Sequence, residues 1–405
     1  MAVTDVPPAA GTGQPWLTPG VRGIGTASLL SDAGHEIPTS LLPSLLTGLG
    51  ASPAALGIIE GVADGVAGAA RFGGGALADD PGRRRIIAIG GYGTTAVLSS
   101  LIGVTNAIWQ VAVLRSAAWA ARGLRVPARN ALLADVVPAE AYGRAYGFER
   151  AMDNLGAIIG PLLGIALVAL VGVRSAILLS VIPGLLAVAA IVYAIRAATP
   201  PKVARRQPIC FQVRPVLRGE LGRLIAAIAA FEFGNVAATM LILRAIELLT
   251  PGHGRNAAAQ IALALYTAYN AAATAISVPA GRFGDRRGPV LVLTTGTAAF
   301  GLGYLTLAVT GAELAVLALA FVAAGVGIGC VETAEHAAVA RLAPEALRGS
   351  AFGMLATVQS VGNLAASAIG GLLWTLVSPA AAFVYLAAWM LVALVAFAAT
   401  QGGRD

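Results

Sequence analysis

The sequence predicts an all-α integral membrane protein of twelve transmembrane helices, built as two six-helix bundles in parallel repeat. Three observations predict it. Charged residues are 12% of the 405 and hydrophobic residues 57%, with a mean hydropathy of +0.79. Soluble chains carry about 25% charge, and so few charges cannot cover a soluble surface of this size. Apolar stretches, each near the roughly 20 residues that cross a bilayer, follow one another along most of the chain. Finally, the two halves repeat one pattern at a constant offset.

The stretches fall at residues 22–48, 52–78, 86–106, 109–134, 145–171 and 175–197, then at 221–249, 257–283, 289–310, 314–341, 347–375 and 379–399. They are numbered here as segments 1 to 12. Segment 1 is the most interrupted by polar residues. Residues 1–21, rich in Pro and Gly without a basic start or an apolar core, read as a disordered cytoplasmic tail and not a signal peptide. Residues 198–220 carry Lys202, Arg205, Arg206, Arg214 and Arg218 among prolines and read as a basic cytoplasmic linker. It joins an N-terminal bundle (22–197) to a C-terminal bundle (221–399), with 400–405 as a tail.

Basic loop residues orient such a chain. With the N-terminus inside, the inner loops collect Arg83, Arg84, Arg85, Arg144, Arg196, the linker, Arg282, Arg286, Arg287, Arg341, Arg348 and Arg404, while the outer loops collect Arg174 and Arg255. Trp109 and Trp374 fall at outer ends, where interfacial tryptophans are favoured. Both termini then lie in the cytoplasm of a cell whose inner membrane holds the protein. This topology accounts for the net charge of +7 without a nucleic-acid partner. Cys210 and Cys330 are too few for a disulfide framework or a zinc site.

The repeat is explicit. Gly75, Asp79 and Gly82 recur as Gly281, Asp285 and Gly288, each 206 residues on; Gly143, Gly147, Gly156 and Gly164 recur as Gly349, Gly353, Gly362 and Gly370. Six helices per half, an even number, bring both halves in from the same side, as in parallel-repeat transporters. The chain here resembles the major facilitator superfamily from residue 22 to 399. The resemblance rests on the loop Gly75 to Arg85 with its copy at 281–288, the 6+6 layout with a basic linker, and Gly156-x-x-x-Gly160-Pro161-x-x-Gly164 in segment 5. That last motif is similar to a signature of the bacterial proton-coupled exporters. Segment 4 departs from the drug-exporter pattern: Trp119, not Gly, stands four residues after Arg115.

The charged residues then fall into sets. Asp79 and Asp285 sit in short inner loops beside glycines that permit tight turns, and a carboxylate there can cap a neighbouring helix N-terminus. The resemblance implies a latch on the inner gate, with Asp79 at the start of segment 11 and Asp285 at the start of segment 5. Gly75, Gly82, Arg83, Arg84, Gly281 and Gly288 complete the two loops. Plain loop polarity is the simpler alternative. Segment 1 places Asp32, His35 and Glu36 on one face, and segment 2 places Glu60 and Asp64 one turn apart. A charge at the bilayer centre costs ~2.5–3.5 kcal/mol, so five unpaired groups would cost on the order of 15 kcal/mol, as much as a domain's stability. They must pair, face water or be protonated. Arg115, Arg122 and Arg125 of segment 4 supply permanent counter-charges.

Segment 5 adds Glu149 and Asp153, followed by the small-residue face Gly156, Gly160 and Gly164, which allows close packing, and by Pro161, which permits a bend. Segment 10 carries Glu332, Glu335 and His336. The repeat sets Glu335 and His336 against Arg129 and Asn130, which leaves open an ion pair between the halves or a second proton site. Glu36 and Asp64 are the leading candidates for proton coupling. No ligand motif fixes a metal, and no nucleotide-binding or hydrolytic constellation is present. The expectation is a secondary active transporter without cofactor, a monomer in the bilayer that exports a small molecule in exchange for protons by alternating access. An uptake symporter of the same fold and a non-transporting sensor are the alternatives.

Overall fold

The computed structural model describes residues 16–197, 209 and 212–401. The N-terminal half comprises α1 (Pro19–Gly48), α2 (Pro53–Ala78), α3 (Pro81–Leu101), α4 (Ile108–Asp135), α5 (Tyr142–Leu179) and α6 (Val181–Ala197). A single turn, α7 (Val213–Val216), leads into α8 (Gly219–Glu232) and α9 (Ala238–His253). Then follow α10 (Arg255–Arg287), α11 (Pro289–Val309), α12 (Leu314–Leu342), α13 (Arg348–Leu376) and α14 (Pro379–Gln401). Segments 1 to 6 are α1 to α6, segment 7 is α8 with α9, and segments 8 to 12 are α10 to α14. The fold is the twelve-helix, two-bundle architecture.

Helix starts are written locally. Pro19, Pro53 and Pro81 occupy first-turn positions, where a missing N–H costs nothing. Thr18, Ser52 and Asp80 cap those helices, with Asp80 accepting from the Gly82 and Arg83 amides at 2.9 Å. Among the described helices, α3, α5 and α10 to α14 are long and apolar enough to cross a membrane. The others fall short for identifiable reasons: α1, α2 and α4 carry charged residues within their spans, α6 has 17 residues, and segment 7 is broken. Gly172, with φ 78°, separates the fifth crossing from the sixth inside α5.

Boundaries differ from the sequence reading in a few places. The first helix begins at Pro19, inside the 1–21 tail, and α7 and the start of α8 occupy part of the 198–220 linker. Residues 1–15 and 402–405 lie outside the described residues, as do 198–208, 210 and 211 of the linker, with Lys202, Arg205, Arg206, Cys210 and Arg404.

Segment 7, read as one helix over 221–249, is interrupted at residues 233–237. Gly234 lies so close to α14 that a Cβ would sit 2.6 Å from the Met390 methyl and 2.9 Å from the Leu386 carbonyl. Backbone polar groups freed by the break must find partners where water is absent. They do: the Val236 amide donates to the Tyr304 hydroxyl (3.2 Å), the Ala237 amide to Ser367 Oγ (3.1 Å), and Asn363 Nδ2 donates to the Asn235 carbonyl (2.9 Å). The Gly-Asn pair was the only local signal for this interruption, and its partners come from α11 and α13.

The halves meet through two equivalent crossings. At Gly75 of α2, a Cβ would lie 2.8 Å from the Gly349 carbonyl oxygen and the Gly353 Cα of α13. Gly281 of α10 abuts the backbone of Gly143 on α5 in the same way. The offsets 281−75 and 349−143 are both 206, so exchanging the halves carries one crossing onto the other. At the far end of α2, Gly57, Gly61 and Gly65 have no neighbour within 4 Å of a Cβ position. The halves are therefore closed at the Asp79 and Asp285 end, and α2 leaves the interface toward the other.

Candidate functional site

Each crossing is locked by an aspartate at its end. Asp79 accepts from the Ser350 amide (2.8 Å) and the Ser350 hydroxyl (2.5 Å) at the start of α13. Asp285 accepts from the Gly143 amide (2.7 Å) and the Arg144 amide (3.1 Å) at the start of α5. Ser350 and Arg144 are themselves 206 apart, so the two locks are repeat equivalents. The helix N-terminus supplies unpaired N–H groups and a dipole that favours a carboxylate. Asp285 gains Arg144 Nε (2.8 Å) and Arg341 (3.1 Å) as well. Burial pushes the Asp79 carboxyl above its ordinary value, and the Ser350 hydrogen bonds pull it part of the way back. Arg84 is buried, donates to the Ala78 carbonyl (2.8 Å) and pairs with Asp135, which Arg348 also reaches at 3.3 Å. Arg83 contributes a backbone amide to the Asp80 cap.

Between the halves, the wall made by the N-terminal bundle is ion-paired. Arg115 holds Glu60 at 2.9 Å and lies 3.4 Å over the Trp119 ring. Trp119 Nε1 in turn donates to Asp64 (2.9 Å). Arg122 reaches Asp32 at 3.3 Å and His35 Nε2 at 2.6 Å. A guanidinium can only donate, so Nε2 accepts and the His35 proton sits on Nδ1, 3.1 Å from the Ser31 carbonyl. Glu36 lies 3.3 Å from the same ring. Deeper in the bundle, Glu149 binds Arg129 (2.8 Å), Arg150 (2.7 Å) and Ser28 (2.6 Å), while Asp153 lies 3.1 Å from Arg150.

Two pairings differ from the sequence reading. Arg125 takes no carboxylate; it stacks 3.9 Å over Tyr92, with Nε and Nη1 unpartnered. Arg129 and Glu335 do not pair between the halves. Arg129 faces Glu149 and Asp153 (3.5 Å), and Glu335 faces Gln359 (2.5 Å). The repeat itself explains this: Arg129 corresponds to Glu335 and Asp153 to Gln359, each 206 apart. Equivalent residues turn toward equivalent neighbours within their own bundle.

The C-terminal wall is acidic and poor in counter-charge. Glu335 is wholly buried, accepts from Gln359 Nε2 through Oε1, and leaves Oε2 without a partner. Glu232, at the end of α8 beside the broken stretch, accepts from Asn235 Nδ2 at 3.0 Å. His336 Nδ1 sits 2.7 Å from the Glu332 carbonyl, and its ring lies 5.8 Å from that of Tyr146 of the other half. Glu332 is within electrostatic reach of Arg150. No described group of three or more His, Cys, Asp or Glu residues is arranged to hold a metal ion.

The segment 5 glycines pack inside their own half. A Cβ at Gly156 would meet the Leu29 carbonyl (2.6 Å) and Asp32 Cβ (2.8 Å) of α1; one at Gly160 would meet the Ala33 carbonyl (2.9 Å). Gly164 has Ser40 as its neighbour, and Pro161 lies within α5. These glycines allow the close approach of α5 to the face of α1 that carries Asp32 and Glu36. Sequence reasoning missed Arg71, which reaches from α2 to Ser360 on α13, and Gln359. The charge of Arg71 inside an apolar stretch, seven residues after Asp64, was an available signal. Gln359 had none, because an amide in a helix is unremarkable until its partner is known.

A family model described as the Major Facilitator Superfamily matches residues 24–249 and 224–401. The chain belongs to the Major Facilitator Superfamily. An MFS-type transporter of Methanocaldococcus jannaschii is 27% identical over 365 residues, covering 89% of this chain and 90% of the relative. The multidrug resistance protein MdtG of Proteus mirabilis is 28% identical over 307 residues, 73% of each chain. In fold, the chain is similar to a bacterial homologue of the iron transporter ferroportin, with a TM-score of 0.74 at 14% identity over 95% of this chain and 99% of that one. This Major Facilitator Superfamily chain is thus a multi-pass membrane protein of a transporter family.

Proposed function

We propose that this protein exports a small solute in exchange for protons by alternating access, as a monomer of a bacterial cytoplasmic membrane. One observation carries the reading: a buried carboxyl with no arginine or lysine among its described ion-pair contacts, Glu335, which has only His336 Nδ1 at 3.6 Å, stands in one half across from an ion-paired wall in the other. An ionised carboxylate in such surroundings costs several kcal/mol, whereas its protonated form needs only hydrogen bonds. Glu335 can therefore carry a proton through a cycle in which the arginine-held carboxylates keep their charges. Export as the direction draws support from the segment 5 motif and from the multidrug resistance protein among the relatives. The test is solute flux in proteoliposomes under an imposed pH gradient, screened over drugs, metals and metabolites. Counter-transport against the proton gradient supports the reading. Co-transport with protons replaces it with uptake, and absence of gradient-driven flux for every solute replaces it with a sensor.

In this reading the aspartate locks hold the cytoplasmic gate shut, leaving the substrate cavity open outward. Asp79→Asn keeps one acceptor but loses the charge at the α13 N-terminus. Hydrogen bonds to charged groups contribute ~1.5–3 kcal/mol, enough to shift the gate equilibrium tenfold or more. The variant should insert normally and lose about tenfold in transport rate. Normal transport by Asp79→Asn removes the latch role.

The topology is tested separately. In a background lacking Cys210 and Cys330, Ala204→Cys should resist a membrane-impermeant maleimide in intact cells, while Asn256→Cys should react. Labelling of position 204 from outside reverses the orientation.

A further inference from the structure

Three exposed arginines ring a cavity of about 460 Å³ at the latched end of the C-terminal half. Arg223 comes from the start of α8, Arg287 from the α10–α11 junction and Arg341 from the end of α12. Glu220 is the one carboxylate in the lining. The floor is different: Leu224, Val290, Leu291 and Leu342 make it apolar. Leu291 is itself exposed and begins an outward apolar face of α11 that continues through Leu302, Leu305 and Val309. Thr400, near the end of α14, also lines it. A cationic rim over an apolar floor that runs onto a membrane-facing helix surface suits an amphipathic anion. Its phosphate would meet the guanidiniums, which bind phosphate oxygens bidentately, and its chain would lie along α11.

We propose that this groove binds the phosphodiester headgroup of an anionic membrane lipid, a use of the fold that goes beyond solute transport. A soluble anion has no use for the apolar floor, and a neutral lipid has no use for three arginines. Basic pockets between transmembrane helices at a membrane surface hold anionic lipids by this combination. Arg341 also holds Asp285 at 3.1 Å, so the headgroup sits beside the lock that joins α10 to α5.

The experiment is thermal unfolding of the full chain in detergent, titrated with phosphatidylglycerol, phosphatidylcholine or inorganic phosphate. Phosphatidylglycerol should raise the midpoint, and the other two should not. R223Q/R287Q, which removes two exposed charges, should weaken the apparent affinity for phosphatidylglycerol roughly 30-fold, from about 1 kcal/mol for each basic residue near the surface. R255Q, at the opposite end of the bundle, should leave it unchanged. An equal response to phosphatidylcholine overturns the proposal, as does an unaltered phosphatidylglycerol response in R223Q/R287Q. Reproduction of the shift by inorganic phosphate makes the site one for soluble anions and overturns the lipid assignment. A variant that fails to respond but unfolds at the wild-type temperature without lipid supports it. None of these outcomes depends on the transported solute or on proton coupling.

Discussion

Glu335→Gln should abolish transport driven by a pH gradient and leave substrate exchange at zero gradient intact. The substitution keeps the shape and keeps an oxygen to accept from Gln359 Nε2, which Glu335 Oε1 does at 2.5 Å. It removes the group that can change its protonation, and the new amide N–H takes the place of the partnerless Oε2. A protein locked in one protonation state can still move between its two conformations with solute bound, but it has no proton to trade. Paired measurements in proteoliposomes decide the matter: gradient-driven accumulation and counterflow of labelled solute. Loss of both marks Glu335 as structural, and retention of both moves the coupling site elsewhere. The same panel should carry Glu36→Gln and Asp64→Asn. Asp64 already accepts from Trp119 Nε1, and Glu36 is 27% exposed where Glu335 is wholly buried, so the expected order places Glu335→Gln as the most severe.

Arg129→Met should be the most damaging single change to stability. Arg129 is buried and holds Glu149, itself wholly buried, at 2.8 Å, and it donates to Ser28 Oγ at 3.0 Å. Removing one member of a buried pair leaves the other uncompensated and costs about 3–5 kcal/mol. Arg150 stays bonded to Glu149 at 2.7 Å, but it then serves both Glu149 and Asp153 alone. The double variant Arg129→Met with Glu149→Gln should recover much of the loss, because it removes the stranded charge along with its partner. Thermal unfolding in detergent of the wild type, both single variants and the double variant gives the coupling energy. Additive losses in the double variant would show that Arg129 acts through packing alone.

Much of the architecture was legible from residue order. Twelve crossings follow from apolar length, because a bilayer demands a minimum span whatever the neighbours are. The two-fold relation follows from the 206-residue offset, because repeated sequence folds to repeated structure. The offset even contains the pairing of Glu335 with Gln359, since their equivalents Arg129 and Asp153 lie on neighbouring helices of the first half. That the many intramembrane charges needed partners was also readable, from the cost of burying them alone.

Which charge meets which was decided only in three dimensions. Arg125 and Arg122 lie one turn apart on α4, yet one stacks on Tyr92 and the other holds Asp32 and His35. Sequence spacing places side chains on a helix face; it does not say which helix stands opposite. The break in segment 7 is of the same kind. An unwound stretch survives in the membrane only when Tyr304, Ser367 and Asn363 from other helices take up its backbone groups, and local sequence carries no record of partners 68 to 130 residues away. The sequence by itself determined the number of crossings, the repeat and the need for buried pairing, because these depend on the solvent and on chain length. The tertiary structure alone decided that the second half keeps a buried carboxyl, Glu335, whose described ion-pair contact is a histidine and not an arginine, because a counter-charge is a matter of distance across packed helices.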